Sequence, residues 1–126
     1  MNAPRILIVE DDAALRALYQ KKLGQEGYDV VTVENGLQAI ESITAKSPDL
    51  VLCDVRMQTA DGFQVLEKYP KKIRKFQFVF LTNFDTPELR EKAKQEGTDG
   101  YLIKKDVTLT SLTKIVSELL AKGHPY

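Results

Sequence analysis

Cysteine and histidine each occur once in this sequence, and tryptophan does not occur at all. A single Cys53 excludes an internal disulfide framework, so nothing argues for an oxidising, secreted setting. One His and one Cys without paired spacing also exclude a zinc or iron site. Excess charge of either sign is missing: 18 Lys and Arg balance 18 Asp and Glu. A nucleic-acid binder working through bulk electrostatics shows a strong basic excess, so direct nucleic-acid binding is not expected. No apolar run approaches the roughly 18 residues of a membrane span, and Met1 to Arg5 begins no signal peptide. With 43% hydrophobic and 29% charged residues, disorder is not expected either. The 126 residues suffice for one domain with a real core. The expectation is a single cytoplasmic domain over residues 1–126, its core at about 5–123, with any output domain on another chain.

What is present is a set of short apolar runs with helical stretches between them. Ile6-Leu7-Ile8-Val9, Val30-Val31-Thr32-Val33, Leu50-Val51-Leu52-Cys53, Phe76 to Leu81 and Tyr101-Leu102-Ile103 are unbroken or nearly so. Such runs suit strands covered on both faces, as in a parallel sheet flanked by helices. Between them, Leu15, Leu18, Lys22 and Leu23 fall on one stripe, closed by Gly27 as a C-cap. Leu37, Ile40 and Ile43 repeat after Asn35-Gly36, and a short helix follows Gly62 towards Tyr69-Pro70. Asp85-Thr86-Pro87-Glu88 reads as a helix start, with Asp85 as the cap and Glu88 three residues on. Thr108 caps a last helix whose stripe is Leu112, Ile115, Val116 and Leu119, ending at Gly123. Five strand–helix units in strict alternation predict right-handed crossovers and a doubly wound α/β fold.

In open α/β sheets the ligand site lies beyond the carboxyl ends of the strands. Strand one is followed by Glu10-Asp11-Asp12, strand three by Asp54, strand four ends at Thr82, and strand five is followed by Lys104. Strand two leads into Glu34-Asn35, to which no chemistry is assigned. Each residue alone has an ordinary structural explanation, such as a helix cap or a solvated strand end. Together they do not, because caps do not account for acids on neighbouring strands with a lysine aimed at them. Glu10, Asp11, Asp54 and Lys104 carry three negative charges against one positive, an imbalance that a single divalent cation neutralises. An all-oxygen shell with open positions suits Mg²⁺. A metal-bound carboxylate flanked by a hydroxyl and an ammonium is equipped to accept a phosphoryl group.

These residues resemble the receiver domain of two-component response regulators, in its stand-alone form. The resemblance runs from RILIVEDD (Arg5 to Asp12) through PDLVLCDVRMQTADGFQVL (Pro48 to Leu66) and FLTN (Phe80 to Asn83) to GYLIKK (Gly100 to Lys105). It implies a five-stranded parallel sheet in the flavodoxin-like order 2-1-3-4-5 with helices on both faces. It further implies that Asp54 is the phosphoacceptor and that Mg²⁺ is held by Glu10, Asp11, Asp54 and the backbone carbonyl of Arg56, with Asp12 a helix cap. Thr82 is implied as the switch hydroxyl, Lys104 as its partner lysine, and Tyr101 as the aromatic whose rotamer follows the state of the site. The implied partners are a sensor histidine kinase or phosphotransfer protein upstream and an effector protein downstream. A homodimer through the face of helix four, strand five and helix five is a further implied possibility. A non-enzymatic, phosphorylation-switched signalling module is the leading reading. The alternatives are a Mg²⁺-dependent phosphohydrolase, which wants a second acid where Arg56 stands, and a degenerate receiver, which would have lost one of these residues.

Four positions depart from the family's common form. Lys105 stands where a proline usually follows the lysine, so the loop after strand five is open to another path. Gln58 replaces another frequent proline. Arg56 and Phe84, each two residues beyond a site residue, are expected to shield the phosphoryl group from water. An unchanged phosphoryl lifetime in the Arg56→Ala/Phe84→Ala double variant would remove that expectation. Lys68, Lys71, Lys72, Arg74 and Lys75 read as a solvated basic loop at the far end of the sheet. Cys53 reads as a small buried hydrophobe and His124 as part of a frayed tail.

Overall fold

The five apolar runs become strands β1 (Arg5–Val9), β2 (Asp29–Val33), β3 (Leu50–Cys53), β4 (Gln77–Thr82) and β5 (Gly100–Ile103). They pair in parallel in the order β2-β1-β3-β4-β5, in a computed structural model that describes residues 3–57 and 59–122. Helices α1 (Ala13–Gln25), α2 (Gly36–Ala45), α3 (Gly62–Lys68), α4 (Pro87–Gln95) and α5 (Leu109–Ala121) alternate with them, as the sequence pattern predicts. Gly123, His124 and Gln58 lie outside the described residues.

Alternation of side chains along each strand builds two cores, one per face. Leu7, Val9, Val51, Cys53, Phe78 and Phe80 pack with α2, α3 and α4 residues such as Ile43, Phe63 and Ala93. Ile6, Ile8, Leu50, Leu52, Val79 and Leu81 pack with Tyr19 and Leu23 of α1 and Leu112 and Val116 of α5. Two positions read as core are not: Leu18 is 48% exposed and Leu37 52%. A helix laid on a sheet buries only a narrow stripe. In α1 that stripe runs through Leu15, Tyr19 and Leu23, and in α2 through Ala39 and Ile43, leaving Leu18 and Leu37 off it.

Helix ends follow side-chain chemistry closely. Gly27 adopts φ +92°, the left-handed conformation expected after α1. Thr108 caps α5 as expected, its hydroxyl accepting the Ser111 N–H at 3.0 Å. The cap of α4 is Thr86 rather than Asp85, its hydroxyl accepting from the Leu89 N–H at 3.1 Å. Pro87 occupies the first helical position, which moves the cap one residue later and releases Asp85 to bond Arg90.

The basic loop also holds a correction, because Arg74 is buried at 2% exposure. Its guanidinium donates to the carbonyls of Phe76 (3.0 Å), Tyr69 (2.9 Å) and Gly97 (2.7 Å) and to Asp99 Oδ2 (2.8 Å). Asp99 also accepts the Phe78 N–H at 2.8 Å. This pin closes the amino-terminal end of β4 and β5. Lys68, Lys71, Lys72 and Lys75 are exposed, as read.

Candidate functional site

Register brings the strand-end residues together. Val9 pairs with Cys53 and Cys53 with Phe80, so β1 and β3 end level and Glu10 and Asp54 emerge side by side. The Asp54 N–H donates to the Val9 carbonyl at 3.0 Å, fixing the residue at the lip of the sheet. Strand β4 runs further, placing Thr82 beside Ile103, one residue before Lys104. Gly62 lets α3 begin directly beneath: a Cβ there would lie 2.4 Å from the Asp54 carbonyl oxygen and 2.6 Å from the Phe80 ring. Asp61 caps that helix in a reciprocal box with Gln64, a role signalled by the D-x-x-Q spacing but not assigned from the sequence.

The carboxylate oxygens of Glu10, Asp11 and Asp54 lie within 4.8 Å of one another. Glu10 and Asp54 are buried, at 2% and 6% exposure, while Asp11 is open to solvent. Lys104 Nζ reaches Glu10 Oε1 at 2.5 Å and Asp54 Oδ2 at 2.8 Å. Burial pushes the Glu10 carboxyl above the usual range, against the opposing pull of Lys104. Burial also acts to lower Lys104, but its bonds to Asp54 and Glu10 outweigh that and hold the ammonium above its ordinary value. The other Asp54 oxygen, Oδ1, is buried without a hydrogen-bond partner. A buried carboxylate oxygen without a donor is costly in water-excluding surroundings, and a hard cation is the ligand that relieves it. This donor set fits Mg²⁺: all oxygen, two buried carboxylates and one open to water.

Asp12 caps α1 as expected, accepting from the Ala14 and Leu15 N–H groups at 2.9 and 3.1 Å. Arg16 braces the turn, donating to the Glu10 carbonyl at 2.8 Å and reaching Glu34 at 3.8 Å. Asn35 caps α2 by accepting the Gln38 N–H.

Thr82 is fully buried, and its hydroxyl accepts the Phe84 N–H at 3.2 Å. Tyr101 packs against Phe80 with the rings tilted at 59° and 5.8 Å between centroids, and its hydroxyl donates to the Phe84 carbonyl. The Arg90 guanidinium lies 5.1 Å over the Tyr101 ring and is paired with Asp85. Arg56 and Phe84, the two residues expected to shield the phosphoryl group, are in contact with each other: the guanidinium sits 4.6 Å from the ring centroid. After β5 the chain makes one 3₁₀ turn, Lys104–Asp106, without a cis peptide among the described residues. The Lys105 N–H donates to Asn83 Oδ1 at 3.1 Å, a bond that a proline could not make. Nothing local in the sequence marks Asn83 for this role, because its partner is 22 residues away.

The family model for the response regulator receiver domain matches residues 6–117. The chain belongs to the response regulator receiver family. Relatives of this receiver include the transcriptional regulatory protein ZraR of Klebsiella oxytoca, 34% identical over 92% of this chain. Sporulation initiation phosphotransferase F of Bacillus subtilis (strain 168) is 30% identical over 82% of this chain. The chain spans only 26% of ZraR but 84% of phosphotransferase F. Among solved structures, a CheY-like response regulator receiver domain protein from Methanospirillum hungatei JF-1 superposes with a TM-score of 0.90 at 26% identity, covering 96% of both chains. Receiver domains are signalling modules of two-component response regulators, and no helix among the described residues is long and apolar enough to cross a membrane.

Proposed function

We propose that this receiver domain is a phosphorylation-switched module that accepts a phosphoryl group on Asp54. The observation that carries the reading is the unpartnered Asp54 Oδ1, in a carboxylate that clusters with those of Glu10 and Asp11 while Lys104 holds Oδ2. Glu10, Asp11, Asp54 and the backbone carbonyl of Arg56 would hold Mg²⁺, which when bound offsets the negative charge of a phosphoryl group. A carboxylate oxygen of Asp54 attacks phosphorus in line. The P–N bond of a phosphohistidine on a histidine kinase or phosphotransfer protein breaks, and its electron pair returns to the imidazole, which takes up a proton.

The acyl phosphate carries about −2 where Asp54 carried −1. Lys104 follows the added charge, and the Thr82 hydroxyl exchanges its Phe84 N–H for a phosphoryl oxygen. Tyr101 then loses the loop geometry that holds its hydroxyl at the Phe84 carbonyl and turns inward. The face of α4, β5 and α5 is reshaped for a downstream partner protein or for a second copy. The balance shifts only by the difference in affinity between the two arrangements. The module works in the cytoplasm, touches proteins rather than nucleic acid, and turns over no substrate of its own.

The test is intact mass after incubation with Mg²⁺ and acetyl phosphate. A phosphoryl adduct is expected on the wild type and not on Asp54→Asn. Equal labelling of both, or of neither, would overturn the assignment.

A further inference from the structure

A recess lies on the α4 side of the sheet, between the loop after β3 and α4. Its volume is about 360 Å³, at the lower end of the range in which ligands are held. Val55 and Phe63 are buried in its wall, and Met57 and Leu89 are half-buried beside them. Arg56 and Lys92 stand exposed at the rim. Each cation rests on an aromatic face, Arg56 on Phe84 at 4.6 Å and Lys92 on Phe63 at 4.4 Å. Among the described residues neither belongs to an ion pair. The one acid in the lining, Asp61, is engaged as the α3 cap. In a chain whose charges cancel overall, this rim keeps a local positive excess over an apolar floor.

We infer that this cleft docks a short segment of a partner protein in which a large apolar side chain is flanked by carboxylates. The two halves of the site select that chemistry together. A simple anion would leave the wall of Val55, Met57, Phe63 and Leu89 unused, and an apolar side chain alone would leave both cations uncompensated. Cation–π contact holds each charge in place without neutralising it, so a carboxylate meets a preorganised partner. Leu89 and Lys92 are three apart on α4, presenting one apolar and one cationic contact on the same face. The inference goes beyond phosphoryl transfer and does not depend on it, because every contact is in place with Asp54 unmodified. Val55 and Arg56 directly follow Asp54, so the cleft and the acidic site share a loop.

The experiment is selection of a random peptide library displayed on phage against the unphosphorylated protein, with the enriched peptides then synthesised and titrated by NMR. Enriched sequences are expected to place Asp or Glu beside Leu, Ile or Phe and to shift the amides of Val55, Phe63 and Leu89. Lys92→Glu is expected to weaken them by roughly tenfold or more, while Lys92→Arg retains most of the affinity. Acetyl phosphate labelling of Lys92→Glu should match the wild type, which separates this test from that of the Asp54 assignment. Enrichment of peptides without acids, equal binding to Lys92→Glu, shifts confined to the α4–β5–α5 face, or no enrichment would each overturn the inference. So would concentration-dependent shifts of the same amides without peptide, which would make the occupant a second copy of this chain.

Discussion

The two ends of the sheet both bury charge, and they treat it in opposite ways. At the amino ends of the strands, Arg74 makes four hydrogen bonds and Asp99 takes both that guanidinium and the Phe78 N–H. At the carboxyl ends, three carboxylates cluster, the one ammonium of Lys104 pairs only Glu10 and Asp54, and a buried oxygen of Asp54 has no donor. The first arrangement is complete and gains nothing from a ligand. The second is short of positive charge, and its deficit has the size of one divalent cation. Buried charge that is fully satisfied holds a fold together, whereas buried charge left in deficit marks where something binds.

The largest effect should come from breaking the complete end. Arg74→Leu removes the four hydrogen bonds of a buried guanidinium and leaves the half-buried Asp99 with only exposed Lys71 at 3.5 Å and the Phe78 N–H. That should cost about 3 kcal/mol, the lower end for breaking a buried pair. Urea unfolding followed by circular dichroism should show that loss, and Arg74→Leu/Asp99→Asn should cost less than the two single changes added together. A loss below about 1 kcal/mol for Arg74→Leu would mean that the pin carries little of the fold.

The incomplete end should answer to metal instead. Mg²⁺ at a hundred times its dissociation constant should stabilise the wild type by about 2.7 kcal/mol, because it binds only the folded site. Asp54→Asn and Glu10→Gln should lose most of that gain. Asp99→Asn should keep it in full while starting from a lower midpoint. Retention of the full Mg²⁺ gain in Asp54→Asn would place the cation elsewhere and erase the contrast between the two ends.

The same contrast explains what could be read from the residues alone. Strand-end acids and Lys104 were legible because each directly follows an unbroken apolar run, and topology sends all such ends to one edge. The apolar runs themselves fixed the strands, since β3 and β4 are buried along their whole length. Arg74 was not legible. Within a run of lysines it has no local mark, and its burial depends on Gly97 and Asp99, more than 20 residues away. Leu18 and Leu37 misled for a related reason: helical spacing says which residues share a face, but only packing decides how wide the buried stripe is. Thr86 and Asp61 carried local signals, Pro87 after one and Gln64 three after the other.

The smallest effect tests a part of the carboxyl end where nothing is in deficit. The Tyr101 hydroxyl donates to the Phe84 carbonyl and the Arg90 guanidinium lies over its ring, and Arg90 is in turn paired with Asp85. Asp85 is drawn below the usual carboxylate range by the Arg90 hydrogen bond, so the ion pair persists throughout the neutral range. Its exposed position means that salt screens it, whereas the contact of guanidinium with ring is less sensitive. Arg90→Ala should therefore raise the inward population of Tyr101 in the unphosphorylated protein by about two- to fivefold. Asp85→Ala should do less, and its effect should fade as salt is added. Fluorine NMR of a fluorotyrosine placed at position 101 reads that population directly. An unchanged spectrum in Arg90→Ala would show that the Phe84 carbonyl alone holds the ring, leaving the acidic cluster as the only tunable element at this end of the sheet.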